Sequence, residues 1–111
     1  MRIKDGAIIA GLDIVMRPVL INADAIWKAA GYPHGVTITS GLDGTHSAGS
    51  LHYYGRAVDL RIWKIDDNGN QVFPERRELI AMVDELRRRI GADYDVVPHR
   101  HSHVHVEYDP K

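Results

Sequence analysis

Residues 99–108 read HRHSHVHVEY, and four of the seven histidines in the chain fall here at alternate positions: His99, His101, His103 and His105. If 102–108 is extended, Val104, Val106 and Tyr108 share one face, while His103, His105 and Glu107 share the other. The apolar face belongs in a core. The opposite face offers imidazoles and a carboxylate, groups that bind metals and carry protons. Exposed histidines on an edge strand are the plain alternative, but an H-x-H pair opposite a valine face makes a ligand role equally credible.

Working outward, AVDLRIW at 57–63 has the same alternation: Val58, Leu60 and Ile62 point one way and Ala57, Asp59 and Arg61 the other. VTITS at 36–40 has the β-branched residues of a strand. PVLINADAIWKAA at 18–30 reads as a helix closed by Gly31 and Pro33, with Asn22 as a cap if it starts late. DDNGN at 66–70 is a turn in which Asn68-Gly69 suits positive φ, so a hairpin is expected. PERRELIAMVDELRRRIG is the clearest helix, with Pro74 at or near its first position and Gly91 at its end. Leu79, Ile80, Met82, Val83, Leu86 and Ile90 form its apolar stripe. A strand region from 94 to 108 follows, broken by a turn around Pro98. Helices and strands without regular βαβ alternation predict an α+β fold, with helices packed on a small, mostly antiparallel sheet.

A chain of 111 residues is expected to form one domain with a single core. Its 44% hydrophobic and 26% charged residues fit a soluble globular protein. A net charge of −1 supplies no field for nucleic acid or an anionic membrane, and neither is expected as a partner. The one basic cluster, Arg87-Arg88-Arg89, suits a helix C-terminus. With no cysteine, disulfides, thiol nucleophiles and cysteine-rich zinc knuckles are excluded. The opening MRIKDGAIIAGLDIVM is a weak signal peptide because Asp13 interrupts its apolar run, and no segment approaches the ~20 apolar residues of a membrane span. Synthesis in the cytoplasm without an export signal, no membrane insertion and a monomeric state are the expectations.

The second informative stretch is S50-L-H52-Y-Y-G55-R-A57-V-D59. His52 and Asp59 can offer a nitrogen and an oxygen ligand. Gly55 suits a bend or close backbone approach, and Ala57 leaves room beside the site. Taken alone, a capped loop with a structural aspartate would explain the same residues.

Ser50, His52, Gly55, Ala57 and Asp59 together resemble the S-x-H-x-x-G-x-A-x-D pattern of the zinc D-alanyl-D-alanine carboxypeptidases and murein endopeptidases. His103-Val104-His105 is similar to that superfamily's closing H-x-H. Local wording is closest to the hedgehog signalling domain, which shares the fold: DGTHSAGSLHYYGRAVDL, 43–60, resembles it through His46 and Ser47. The resemblance covers 36–60 and 91–108. It implies that His52, Asp59 and His105 hold one zinc ion with water in the fourth position, the open arrangement of a catalytic zinc. It further implies hydrolysis of an amide in a peptidoglycan stem or cross-bridge peptide, with the metal lowering the pKa of its water from ~15.7 toward ~7.

The chain departs from these relatives at two points. Many of them place an acid three residues before the last ligand, where Ser102 stands here, and hedgehog domains place a glutamate where His99 stands. The endopeptidase branch relies on histidines, so His103 is expected to move the proton, with His99 next. Relatives that remove a terminal D-alanine often carry an arginine shortly after the T-S-G strand, where this chain has Leu42, Asp43 and Gly44. Arg56 or Arg61 would have to stand in, and an endopeptidase is favoured over a strict carboxypeptidase. Ser50, His46 and Arg56 are the expected substrate contacts. A rival ligand set is His52, His103 and His105, with Asp59 orienting one of the rings. The rival function is a non-catalytic, zinc-braced module that binds murein or a protein. Lacking an export signal, the enzyme would be released to the cell wall through a membrane pore or carried in a phage particle.

Overall fold

The computed structural model describes residues 1–42, 55–99 and 101–110. In chain order the elements are β1 (Arg2–Ile3), a 3-10 turn (Ile14–Met16), α1 (Arg17–Ala29), β2 (Thr37–Ser40), β3 (Ala57–Arg61), β4 (Lys64–Ile65), β5 (Gln71–Val72), α2 (Arg76–Ile90), β6 (Tyr94–His99) and β7 (His103–Tyr108). Strands run in the order β1-β2-β3-β7-β6, and β4 and β5 form a separate ribbon. Among the described residues only β1 and β2 pair in parallel; the other pairs are antiparallel. The fold is α+β, as expected from the pattern of elements.

Alternation in β3 and β7 explains why the sheet is covered on one side. Val58, Leu60, Val104 and Val106 are fully buried, and Ile38 of β2 and Val96 of β6 extend that layer. Met16, Val19, Ala23 and Trp27 from the first helical region, with Leu79, Met82, Val83 and Leu86 from α2, complete one core. A one-residue slip of β7 would exchange Val104 and Val106 for His103 and His105, costing roughly 1.5–3 kcal/mol per valine before any charge is buried. Register is therefore fixed by hydrophobicity. The polar atoms of the core's aromatic residues are also satisfied: the Trp27 indole donates to the Arg61 carbonyl at 2.8 Å, and the Tyr32 hydroxyl donates to the Ile62 carbonyl.

Several boundaries differ from expectation. Pro98 lies inside β6, paired with Val104, and the chain turns after His99, with Ser102 N–H bonding the His99 carbonyl at 3.0 Å. Proline is tolerated there because β6 is the sheet's edge, where one side of the backbone needs no partner. Pro74 precedes α2, whose N-cap is Glu75 in a reciprocal capping box with Glu78. Ile80 is 46% exposed and leaves the predicted stripe. Asn22 sits within α1 and donates to the Pro18 carbonyl at 2.7 Å. In the ribbon turn, Gly69 takes φ +79 while the Asp66 side chain accepts from Asn68 and Asn70 N–H at 2.9 and 2.8 Å.

Residues 8–13 tie together the chain on both sides of 43–54. Leu42 N–H donates to the Ile8 carbonyl at 2.7 Å, and Asp13 N–H donates to the Gly55 carbonyl at 2.8 Å. Gly55, at φ +70, lies so close to residue 11 that a Cβ would meet the Gly11 oxygen at 2.6 Å. The positive φ supplies the bend expected at this glycine, and the close approach it makes is to Gly11. Among the described residues, no helix is long and apolar enough to cross a membrane.

Candidate metal and proton-transfer site

The face of the sheet opposite the core is set by three cross-strand rows. Asp59 of β3 pairs with His105 of β7, which pairs with Val97 of β6. On one side of this row stand Arg61, His103 and His99; on the other stand Ala57, Glu107 and Asp95. Directly opposed side chains in an antiparallel sheet have Cβ atoms about 4.5–5.5 Å apart, so these groups meet without any loop to hold them.

Asp59 is the hub. Its Oδ1 lies 2.8 Å from His105 Nδ1 and 3.5 Å from His103 Nε2. The other nitrogen of His105, Nε2, lies 3.0 Å from Glu107 Oε1. With a carboxylate at each nitrogen, both can donate only if the ring is an imidazolium. The hydrogen bond to Asp59 pushes the His105 pKa up; burial opposes this, and Glu107 adds to the rise.

His103 is held from both ends. Ser102 Oγ lies 2.6 Å from its Nδ1, leaving Nε2 toward Asp59, and the His99 ring lies 4.8 Å from its centroid at an interplanar angle of 30°. His101, in the turn at φ +63, packs edge-on against Phe73 instead.

The structure thus brings together Asp59, His105, His103 and His99 from the sequence-predicted set. His52, Ser50 and His46 lie outside the described residues. Arg56 goes elsewhere: its Nε pairs with Asp13 Oδ2 at 3.2 Å and its guanidinium lies 5.8 Å from the Tyr108 ring. Its position one residue before Ala57 directs it with Val58 and Tyr108, away from the Asp59 face. Two further participants, Glu107 and Ser102, were not assigned roles from sequence, and Arg61 was expected only as a stand-in for the relatives' arginine. Glu107 was visible on the histidine face, but its grip on His105 depends on rotamer. Ser102 was noted only as a missing acid. Arg61 is on the same face as Asp59, opposite His103.

The donor set suits zinc chemically: one carboxylate oxygen and imidazole nitrogens, with no competing thiol. Glu107 engages Nε2 of His105 and leaves Nδ1 toward Asp59, the arrangement in which a carboxylate orients a metal-ligating histidine. Two tetrahedral zinc ligands sit about 3.3 Å apart, so the 2.8 Å Asp59–His105 pair would need to open by about half an ångström. Among the described residues, the three possible ligands that lie within 4.8 Å of one another are Asp95, Glu107 and Asp109. That set is all oxygen, better matched to a hard cation than to zinc. The chain matches no protein-family model and no curated relative.

Proposed function

We propose that the chain is a zinc-dependent peptidase that hydrolyses an amide bond in peptidoglycan peptides, as an endopeptidase rather than a strict carboxypeptidase. The observation that carries this reading is the direct contact between Asp59 and His105 across β3 and β7, with His103 on the same carboxylate oxygen. The choice of peptidoglycan rests on the resemblance of the 50–59 pattern and the closing H-x-H. Zinc, when bound, supplies a Lewis acid for the scissile carbonyl and a water of lowered pKa.

Asp59 and His105 would hold the metal with His52, while Glu107 fixes the orientation of His105. His103 takes the proton from the attacking water at Nε2 and returns it to the leaving amine; Ser102 holds Nδ1 and so fixes which nitrogen does this. His99 keeps the ring in place by stacking on it. Strand-borne side chains suit this task because their positions are set by register.

Purified protein tested on murein with and without chelator, alongside metal analysis, tests the reading. Cleavage that stops with chelator and returns with zinc supports it. Binding of murein without any cleavage would favour the zinc-braced module instead. Asp59→Ala separates the ligand sets: near-total loss of zinc supports Asp59 as a ligand, whereas a fall of about 10–100-fold in affinity would make it an orienting group for the rival set His52, His103 and His105.

A further inference from the structure

The row containing His103 continues beyond Arg61. Arg61 pairs with His103; Thr37 precedes Ile38, the partner of Leu60; and Arg2 pairs with Thr37. One row across the sheet therefore runs His99, His103, Arg61, Thr37, Arg2. At its Arg61–Arg2 end lies a cavity of about 660 Å³, lined among the described residues by Arg2, Lys4, Arg61 and Lys64 against a single carboxylate, that of Asp5. Among the described residues, none of these four cations forms an ion pair.

Arg61 shows what the cavity lacks. Its guanidinium carbon lies 3.9 Å from the Trp63 ring centroid, which fixes the plane of the group, yet its Nε is buried without a hydrogen-bond partner among the described residues. Burial also pulls its pKa below the usual arginine range. A buried donor with no acceptor is costly, and a guanidinium is best satisfied by a planar oxyanion. Lys64, 5.3 Å from the Tyr32 ring centroid, stands on the same cavity wall.

We propose that this cavity is a carboxylate subsite, filled by an acidic group of a peptide that lies across Asp59 and His105. The proposal rests on the peptide-hydrolase reading above for its ligand, though not for its charge. Asp59 and Arg61 are two residues apart on one strand, about 6.6 Å, which an extended peptide spans in about two residues. Because the cavity lies beyond Arg61 toward Arg2, the carboxylate belongs to a residue about two or more from the reacting bond, and the subsite selects peptides acidic at that position.

The test is a 15N-NMR titration of the full chain, without added metal, using succinate, succinamide and inorganic phosphate as probes. Succinate is expected to shift the amides of Thr37, Arg61 and Lys64 in a salt-sensitive manner, and succinamide to leave them unchanged. Arg61→Gln should weaken succinate binding about tenfold, and Lys64→Glu at least as much by reversing a charge at the cavity wall without touching the core. Shifts confined to His103 and His105, or unchanged binding in Lys64→Glu, would overturn the subsite. Phosphate binding tenfold tighter than succinate would overturn its assignment to a carboxylate. In a second arm, paired peptides differing only as glutamate or glutamine should show a KM preference for glutamate that Arg61→Gln removes; a preference that survives counts against the proposal. Failure of every peptide to be cleaved, with succinate binding as expected, would sink the hydrolase reading and leave the anion subsite standing.

Discussion

Asp59 Oδ1 sits between two imidazoles, and that single atom accounts for most of the site's behaviour. In metal-free protein His105 is expected to hold its proton above the ordinary imidazole range, because the Asp59 hydrogen bond outweighs the cost of burial. A raised histidine pKa contributes stability that is complete below the unfolded value and is lost as pH rises through the folded one. NMR titration of the ring should show this, with Asp59→Asn and Glu107→Gln each bringing the midpoint down; a midpoint unmoved by either would refute the contact. Ser102→Ala should lower kcat about tenfold and displace its pH profile, against about 100-fold or more for His103→Ala, with zinc content equal in both. Side-chain parity made the histidine face legible in the sequence, and the same parity separates Arg61 from Arg56. The hydrogen bonds of Ser102 and Glu107 were not legible, since alternation says which face a side chain is on and nothing about which neighbour it grips.

The elements position these residues through register and two glycines. Gly41 leaves room for the Ile8 carbonyl, which a Cβ would meet at 2.3 Å, and Gly55 does the same for Gly11 in a left-handed conformation. Gly55→Ala is expected to lower stability by about 1–3 kcal/mol in thermal or urea unfolding, because both the positive φ and the backbone approach oppose a side chain. A neutral effect would mean that residues 8–13 are not held as described. Sequence patterning located β2, β3, β7 and both helices because their apolar periods are strong. It misplaced the last turn because Pro98 is acceptable in an edge strand, and which strand forms the edge depends on the order of all five. Pro74 falls near the start of α2 but two residues before its first helical residue, since Glu75 takes the N-cap in the capping box with Glu78.

At the scale of the molecule, alternation puts the apolar side chains of β3 and β7 on one face of the sheet and their polar side chains on the other, and long-range pairing assembles that polar face from residues far apart in sequence. Two further groups act at the acid and alkaline edges of stability. Hydrogen bonds from Arg88 and Arg89 lower the Glu85 pKa to about 2. Its contribution is present above the ordinary carboxylate range and is lost as pH falls through about 2. Burial, with the charge of Glu78, pushes Tyr32 up to about 12, so its contribution is present below the usual phenol value and lost as pH rises through about 12. Urea unfolding across pH checks both edges: Glu85→Gln should flatten the acid side and Tyr32→Phe the alkaline side. The composition and charge of the chain bounded the fold class, while the cationic cavity beside Arg61 emerged only when β1, β2 and β4 met in space.

The most direct test of the proposed metal centre is zinc stoichiometry in purified protein, measured by mass spectrometry for the unaltered chain, Asp59→Ala and His105→Ala, each verified as folded. About one zinc per chain, lost in both variants, is the expected result. Zinc retained in both, or no zinc taken up by the unaltered chain, would contradict the assignment of Asp59 and His105 as ligands.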